Sequence, residues 1–308
     1  HGLVLARVIQ SVRPEVDLYL LDDCRPEDIV SDPAASGLRR VFYEVEEPLE
    51  IHLAILEGVD ERYRTPYFDN LKRYAQKPIA TFHALPIARG KSVFRSEWIR
   101  DLGEFYGPTL FLAESSATTG GLDSLLEPTG NIKLAQDAAA RAFGADKVFF
   151  VTNGTSTSNK MVYQALCQPG DIVIVDRNCH KSHHYGCVLA GAQPYYVEAF
   201  PLTAYSMYGS VPLRTIKKAL LDLKAAGRLD KVRMIALTNV TFDGHMYDTR
   251  RVMEECLAIK SDLVFMWDEA WFGFGRFNWL YRRRTAMGAR RQLQEYFADP
   301  KSLEAYLE

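Results

Sequence analysis

Apolar positions along this chain change rhythm near residue 131. Beyond it, short continuous apolar runs alternate with stretches of helical spacing. Residues 147–152, 171–176, 194–197, 232–238 and 263–268 have strand length and are apolar on both faces, the pattern of buried strands. Residues 131–143, 156–167, 183–192, 212–226 and 249–259 place apolar side chains three and four apart, the pattern of helices. Gly144 stops the first of these helices, Pro169-Gly170 makes a turn, and Pro212 sits near a helix start. This alternation predicts an α/β fold whose mostly parallel sheet is covered on both faces.

The earlier part is less regular. Residues 16–21 and 41–45 read as two short strands, and 48–64 as a helix with Leu49, Leu53, Leu56 and Val59 on one side. Two strands and a helix are too few for an independent sheet, so 1–64 is read as the C-terminal part of a small α/β domain. Residues 67–75 form one more helix. The stretch 78–128 mixes Pro, Gly, Ser and Thr with short helical pieces but is too apolar for disorder. The expected division is therefore 1–64, a linker region over 65–130, and a large domain over 131–308. There is no internal repeat.

Composition narrows the function classes. A hydrophobic content of 47% and a charged content of 25% are those of a globular protein. The net charge of −2 gives no electrostatic reason to expect nucleic acid or a membrane surface as partner. No apolar run reaches the length of a membrane span. Five scattered cysteines without a C-x-x-C pair suit reduced thiols in a cytoplasmic protein. The start, His1-Gly2-Leu3, has neither an initiator Met nor a signal-peptide layout, so the chain is expected to begin and end inside a longer protein.

Three segments carry chemistry. Asn153-Gly-Thr-Ser-Thr157 lies between a strand and a helix, where backbone N–H groups and the helix dipole meet an anion. Thr155, Ser156 and Thr157 add hydroxyl donors, although a plain helix cap uses the same residue types. Asp176-Arg-Asn-Cys-His-Lys-Ser182 puts His180 just past a strand end, on the edge where open α/β sheets take ligands. An imidazole there stacks on a planar ring, caps a helix or fills a core. His180, His183 and His184 lack a partner at metal-ligand spacing, and no metal is expected. Asp268-Glu269 ends the run 263–268. A carboxylate there needs a partner, and a protonated pyridine nitrogen or a metal ion would serve. No Walker loop supports the metal reading: Gly90-Lys91-Ser92 resembles its end, but Leu85 stands where the leading Gly belongs. Ala270 lets a ring lie flat, and Trp271 offers an indole N–H.

In this order the three segments resemble the Orn/Lys/Arg decarboxylase family, whose fold is that of aspartate aminotransferase. The resemblance runs over about 65–300 and takes in Leu122-Asp-Ser-Leu-Leu-Glu-Pro-Thr-Gly130, Thr238-Asn-Val-Thr-Phe-Asp-Gly244 and Asp268-Glu-Ala-Trp-Phe-Gly-Phe274. It implies pyridoxal 5'-phosphate as cofactor, with Thr155, Ser156 and Thr157 on the phosphate. His180 would stack on the ring opposite Ala270, Asp268 would pair with the ring nitrogen, and Trp271 would lie near the phenolic oxygen. The loop 238–244 would border the site. It further implies decarboxylation of arginine, lysine or ornithine to an amine and CO2, with His180 and Asp268 as the catalytic residues identified. A homodimer or larger homo-oligomer is implied, and 1–64 is similar to the tail of the family's flavodoxin-like wing domain.

Two departures stand out. The family's Schiff-base lysine follows the Asp-Glu-Ala-Trp stretch in a Ser-x-His-Lys context, whereas Lys301 is the only lysine after Asp268 and reads as an exposed helix start. Lys181 could stand in, but comes too early in chain order. Second, His83-Ala-Leu-Pro-Ile-Ala-Arg-Gly90 lacks the family's Pro-Gly-His. Another reaction on the same fold, aminotransferase or lyase, and a non-catalytic assembly partner stay open.

Overall fold

A computed structural model describes residues 2–13, 16–43, 46–80, 82, 87–114 and 121–307. Its chain contacts divide it into two compact units, 1–142 with 146–148, and 143–145 with 149–308.

In the first unit, α1 (Gly2–Val12), β1 (Leu18–Asp22), α2 (Pro26–Val30), β2 (Leu38–Tyr43) and α3 (Pro48–Tyr63) follow in order. β1 and β2 pair in parallel. Leu49, Leu53, Leu56 and Val59 of α3 are exposed, a stripe that two strands are too few to cover. Then come α4 (Pro66–Gln76), α5 (Lys91–Arg95), α6 (Arg100–Tyr106), α7 (Pro108–Leu112) and α8 (Asn131–Phe143). The buried Arg89 donates to the carbonyls of Tyr74, Ala75 and Lys77, closing the C-terminal end of α4. Asp123 accepts from the backbone N–H groups of Thr129, Gly130 and Ile132, which caps α8. Burial works to raise the Asp123 pKa, but these N–H donors hold it below the ordinary carboxylate range. His83 to Pro86, which span most of the departure near the linker, lie outside the described residues.

The second unit carries the regular alternation: α9 (Thr155–Leu166), β3 (Ile172–Asp176), α10 (Lys181–Ala190), β4 (Gln193–Val197), β5 (Pro201–Leu202), β6 (Met207–Tyr208), α11 (Leu213–Ala225), β7 (Val232–Thr238), α12 (Thr249–Leu257), β8 (Val264–Asp268), α13 (Ala286–Ala298) and α14 (Pro300–Leu307). The parallel sheet has the order β4-β3-β7-β8. Alternate side chains serve opposite faces. Ile172, Ile174, Ile235 and Leu237 pack with Ile216 and Leu220 of α11 and Val252 and Cys256 of α12. Val173, Val175, Met234 and Ala236 pack on the other face with Tyr163 of α9 and Cys187 of α10. Gly186 allows the second contact, since a Cβ there would stand 2.6 Å from the ring of Tyr163.

The strand expected at 147–152 does not form. A strand is defined by its ladder partner, and no ladder among the described residues includes this segment. Elsewhere the boundaries move by at most three residues, the most at the start of β2, Leu38 against the expected 41. Among the described residues no helix is long and apolar enough to cross a membrane.

Candidate active site

The C-terminal ends of β3, β7 and β8 share one edge of the sheet. Thr238 and Asp268 are register partners there. The helices that follow or precede these strands bring their N-terminal ends to the same edge, the place where parallel α/β sheets bind ligands.

The turn before α9 is shaped by backbone conformation. Asn153 has φ 72, and Gly154, the N-cap, has φ 72 and ψ −176, a region essentially reserved for glycine. Added side-chain bulk at Gly154 would meet nothing within 4 Å, so the turn is open. The helix accordingly presents its first N–H groups outward, as an anion site requires. Thr155 and Ser156 line a cavity of about 660 Å³, while Thr157 lies one step further along, its N–H bonded to the Gly154 carbonyl at 3.0 Å.

Asp176 sets the next turn. Its carboxylate accepts from the Asn178 N–H at 2.8 Å, and its carbonyl from the Cys179 N–H at 3.1 Å. Burial nevertheless pushes its pKa up. The turn delivers His180 to the N-cap of α10, exposed and lining the cavity. Of the roles set out above, helix capping is present: His180 Nδ1 accepts from the Ser182 N–H, and the residue lines the cavity wall. Lys181 is exposed on the first turn of α10 and is not part of that wall.

The end of β8 supplies two carboxylates facing different neighbours, as strand alternation requires. Asp268, 6% exposed, lies on the cavity. Its Oδ2 accepts from Asn159 Nδ2 at 2.9 Å and faces His183 Nε2 at 3.0 Å, and its Oδ1 accepts from the Ala270 N–H at 3.1 Å. Burial alone would raise its pKa, but the bonds from His183, Asn159 and the Ala270 N–H outweigh it and bring the group down to about 2. Glu269 turns away to accept from Asn239 Nδ2 and the Ala286 N–H, both at 2.7 Å. Burial keeps its pKa raised.

Ala270 and Trp271 complete the wall, with Trp271 edge-on to Phe242 at 5.8 Å. The loop 238–244 contributes Thr238, Thr241, Phe242 and Asp243. The three histidines turn to separate partners: His180 to Ser182, His183 to Asp268, and His184 to Tyr196. Sequence reasoning did not identify Asn159 or the role of His183. Neither has a spacing signal, because their partner is over 80 residues away in the chain. In a second cleft, of about 740 Å³ between α11 and α12, Lys217 and Arg251 share Glu255, and Lys218 meets Asp222.

Comparison with known proteins covers the part of the chain that holds this cavity. The family described as Orn/Lys/Arg decarboxylase, major domain, matches 65–302. Lysine decarboxylase LdcA of Pseudomonas aeruginosa is 30% identical over 302 residues, covering 93% of this chain and 40% of that protein. The inducible ornithine decarboxylase of Escherichia coli is 33% identical, covering 80% of this chain and 34% of that protein. Among solved structures, lysine decarboxylase A from Pseudomonas aeruginosa superposes with a TM-score of 0.67 at 28% identity, covering 93% of this chain and 40% of that one. The chain thus spans about two fifths of the length of these relatives or less.

Proposed function

Because the chain belongs to the Orn/Lys/Arg decarboxylase family, we propose that it carries the cofactor cavity of a pyridoxal-phosphate-dependent enzyme that decarboxylates arginine, lysine or ornithine. The observation that carries this reading is Asp268: a buried carboxylate at the end of β8, held by Asn159, His183 and the Ala270 N–H, yet lying on an open cavity. Its donors keep it ionised, and a cationic N–H held in the cavity would pair with that charge.

The remaining wall fits the same cofactor. Thr238 lines the cavity and its hydroxyl is buried without a hydrogen-bond partner, so a ligand oxygen would satisfy it. The outward N–H groups after Gly154, with the hydroxyls of Thr155, Ser156 and Thr157, suit a phosphate. His180 and Ala270 would flank the ring, and Trp271 would approach its phenolic oxygen. Once bound, the cofactor supplies an electron sink for the pair left by the departing carboxylate.

The chain's own part is orientation and electrostatics. Asp268 would hold a proton on the ring nitrogen, because a carboxylate this acidic does not take it away. His180 would fix the plane of the ring. The phosphate donors would anchor its far end, so that the reacting bond meets the ring at a constant angle. The rim aromatics Phe242 and Trp271 are exposed, which supports an assembly in which a second copy covers them. No lysine is among the described residues that line the cavity. A cytoplasmic location accords with the free cysteines.

The test uses the full-length protein with pyridoxal phosphate and each of the three amino acids, measuring CO2 and amine. Asp268→Asn is expected to lower kcat by at least about 100-fold, since it removes a charge that acts on the transition state. Near-normal turnover by that variant would sink the assignment, as would a keto acid product from the unaltered protein. Borohydride reduction followed by peptide mapping locates the lysine.

A further inference from the structure

One buried amide lies between the two groups assigned above to the cofactor ring. Asn159, 4% exposed on α9, has its Nδ2 2.9 Å from Asp268 Oδ2 and 3.0 Å from Ser182 Oγ. A carboxamide nitrogen has two hydrogens, and each has its own acceptor here. Ser182 Oγ, having accepted, has one hydrogen to give. His180 Nδ1 is 2.8 Å away and also receives the Ser182 backbone N–H at 3.2 Å. With Nδ1 occupied as an acceptor, a neutral His180 ring carries its proton on Nε2.

The other side of Asp268 is ordered in the same sense. Tyr163 OH lies 3.2 Å from His183 Nδ1, and His183 Nε2 lies 3.0 Å from Asp268 Oδ2. Asn159 Nδ2 and His183 Nε2, 3.3 Å apart, are two donors converging on one oxygen. One set of proton positions satisfies the whole chain: Tyr163 gives to His183, His183 and Asn159 give to Asp268, Asn159 gives to Ser182, and Ser182 gives to His180.

We infer that Asn159 is a positioning residue that sets the imidazole of His180 and the carboxylate of Asp268 in register with each other, through Ser182. The reason lies in the ligand. A ring whose face meets an imidazole and whose edge meets a carboxylate fixes the angle between the two. Those two groups stand on separate elements, the start of α10 and the end of β8, and need a common reference. Asn159, on α9, contacts both branches with one nitrogen. Asp at this position would put an acceptor against Asp268, and Ala would leave Ser182 and Asp268 each short of a donor. The meaning of the two end groups rests on the proposed function, but the bridge itself is observable without cofactor.

The experiment records long-range 1H–15N spectra of the histidine rings in the full-length protein, labelled at histidine and free of cofactor. The unaltered chain is expected to show His180 as the Nε2–H tautomer. Ser182→Ala should shift His180 towards a tautomer mixture and leave His183 as it was, and Ser182→Thr should restore His180. Asn159→Ala should change both rings, although Asn159 does not touch His180. Pyridoxal phosphate affinity, read by absorbance, should weaken by roughly tenfold in Asn159→Ala, the scale on which outer hydrogen-bond partners act.

A His180 signature identical in all four proteins would overturn the inference. Should Asn159→Ala fail to fold, the Ser182→Ala and Ser182→Thr pair decides alone, and an unmoved His180 again overturns it. An unaltered full-length protein with no affinity for pyridoxal phosphate would instead sink the functional reading, while the ring spectra still decided the bridge.

Discussion

His183 and Asp268 meet at 3.0 Å, with the imidazole fully buried and the carboxylate nearly so. They come from the start of α10 and the end of β8, and the contact fastens a helix to the strand end that shapes the cavity. A buried carboxylate is costly without such a donor. His183→Ala should therefore lower stability by roughly 2 to 3 kcal/mol, the cost of stranding a charged acceptor, and raise the Asp268 pKa towards the ordinary range. Urea unfolding at neutral pH measures the first, and carboxyl NMR titration the second. An unchanged Asp268 titration would show that Asn159 and Ala270 suffice.

The same carboxylate gives stability a dependence on acid. Its folded pKa of about 2 lies below the ordinary 3.8, so its contribution is fully present above about pH 4 and is lost as pH falls towards 2. At 1.36 kcal/mol per pKa unit the window is worth about 2 kcal/mol. Glu269 works in the opposite direction: burial raises its pKa, so its ionisation costs stability as pH rises through its range. The slope of stability between pH 4 and pH 2 should be shallower in Asp268→Asn than in the unaltered chain. Equal slopes would assign the acid loss to other carboxylates.

Gly186 marks where α9 and α10 come closest. A Cβ there would sit 2.6 Å from the Tyr163 ring, so Gly186→Ala must displace either a helix or the ring that donates to His183. Overpacking of this kind costs roughly 1 to 3 kcal/mol. The melting temperature should fall, and the His183 ring signals should move with it. Retention of both would mean that α10 slides freely on α9.

Gly154 combines strain with binding. Its φ 72 and ψ −176 are closed to side chains, so Gly154→Ala should cost roughly 1 to 3 kcal/mol. Pyridoxal phosphate affinity should fall by more than that of pyridoxal, which lacks the phosphate. Equal losses for the two ligands would place the phosphate elsewhere.

Much of this was legible in the sequence because it depends on local pattern. The runs around Val175, Ala236 and Met266 are buried strands, and their order in the sheet brings Thr155, Ser156, His180, Asp268, Ala270 and Trp271 to one cavity. The rest depends on partners distant in the chain. Lys147 to Thr152 has strand composition but no ladder neighbour among the described residues. His183 stands in the sequence only as one of three histidines without metal-ligand spacing, and folding places it against Asp268, 85 residues away. Asn159 carries no signal at all, since a buried Asn and an exposed one read alike. Asp123 shows the converse: a segment resembling the family's holds the start of α8 by backbone capping.

Glu269 draws a boundary that no motif marks. Its carboxylate holds the N–H of Ala286 at the start of α13 and the side chain of Asn239 beside β7, and α13 places Ala289 and Leu293 against Phe265 and Trp267 of β8. A recombinant piece cut after Trp271 would retain every residue proposed to touch the cofactor, yet strip the back of the strand that carries Asp268 and strand a buried acid beside it. The smallest portable version of this cavity therefore extends at least to Leu293.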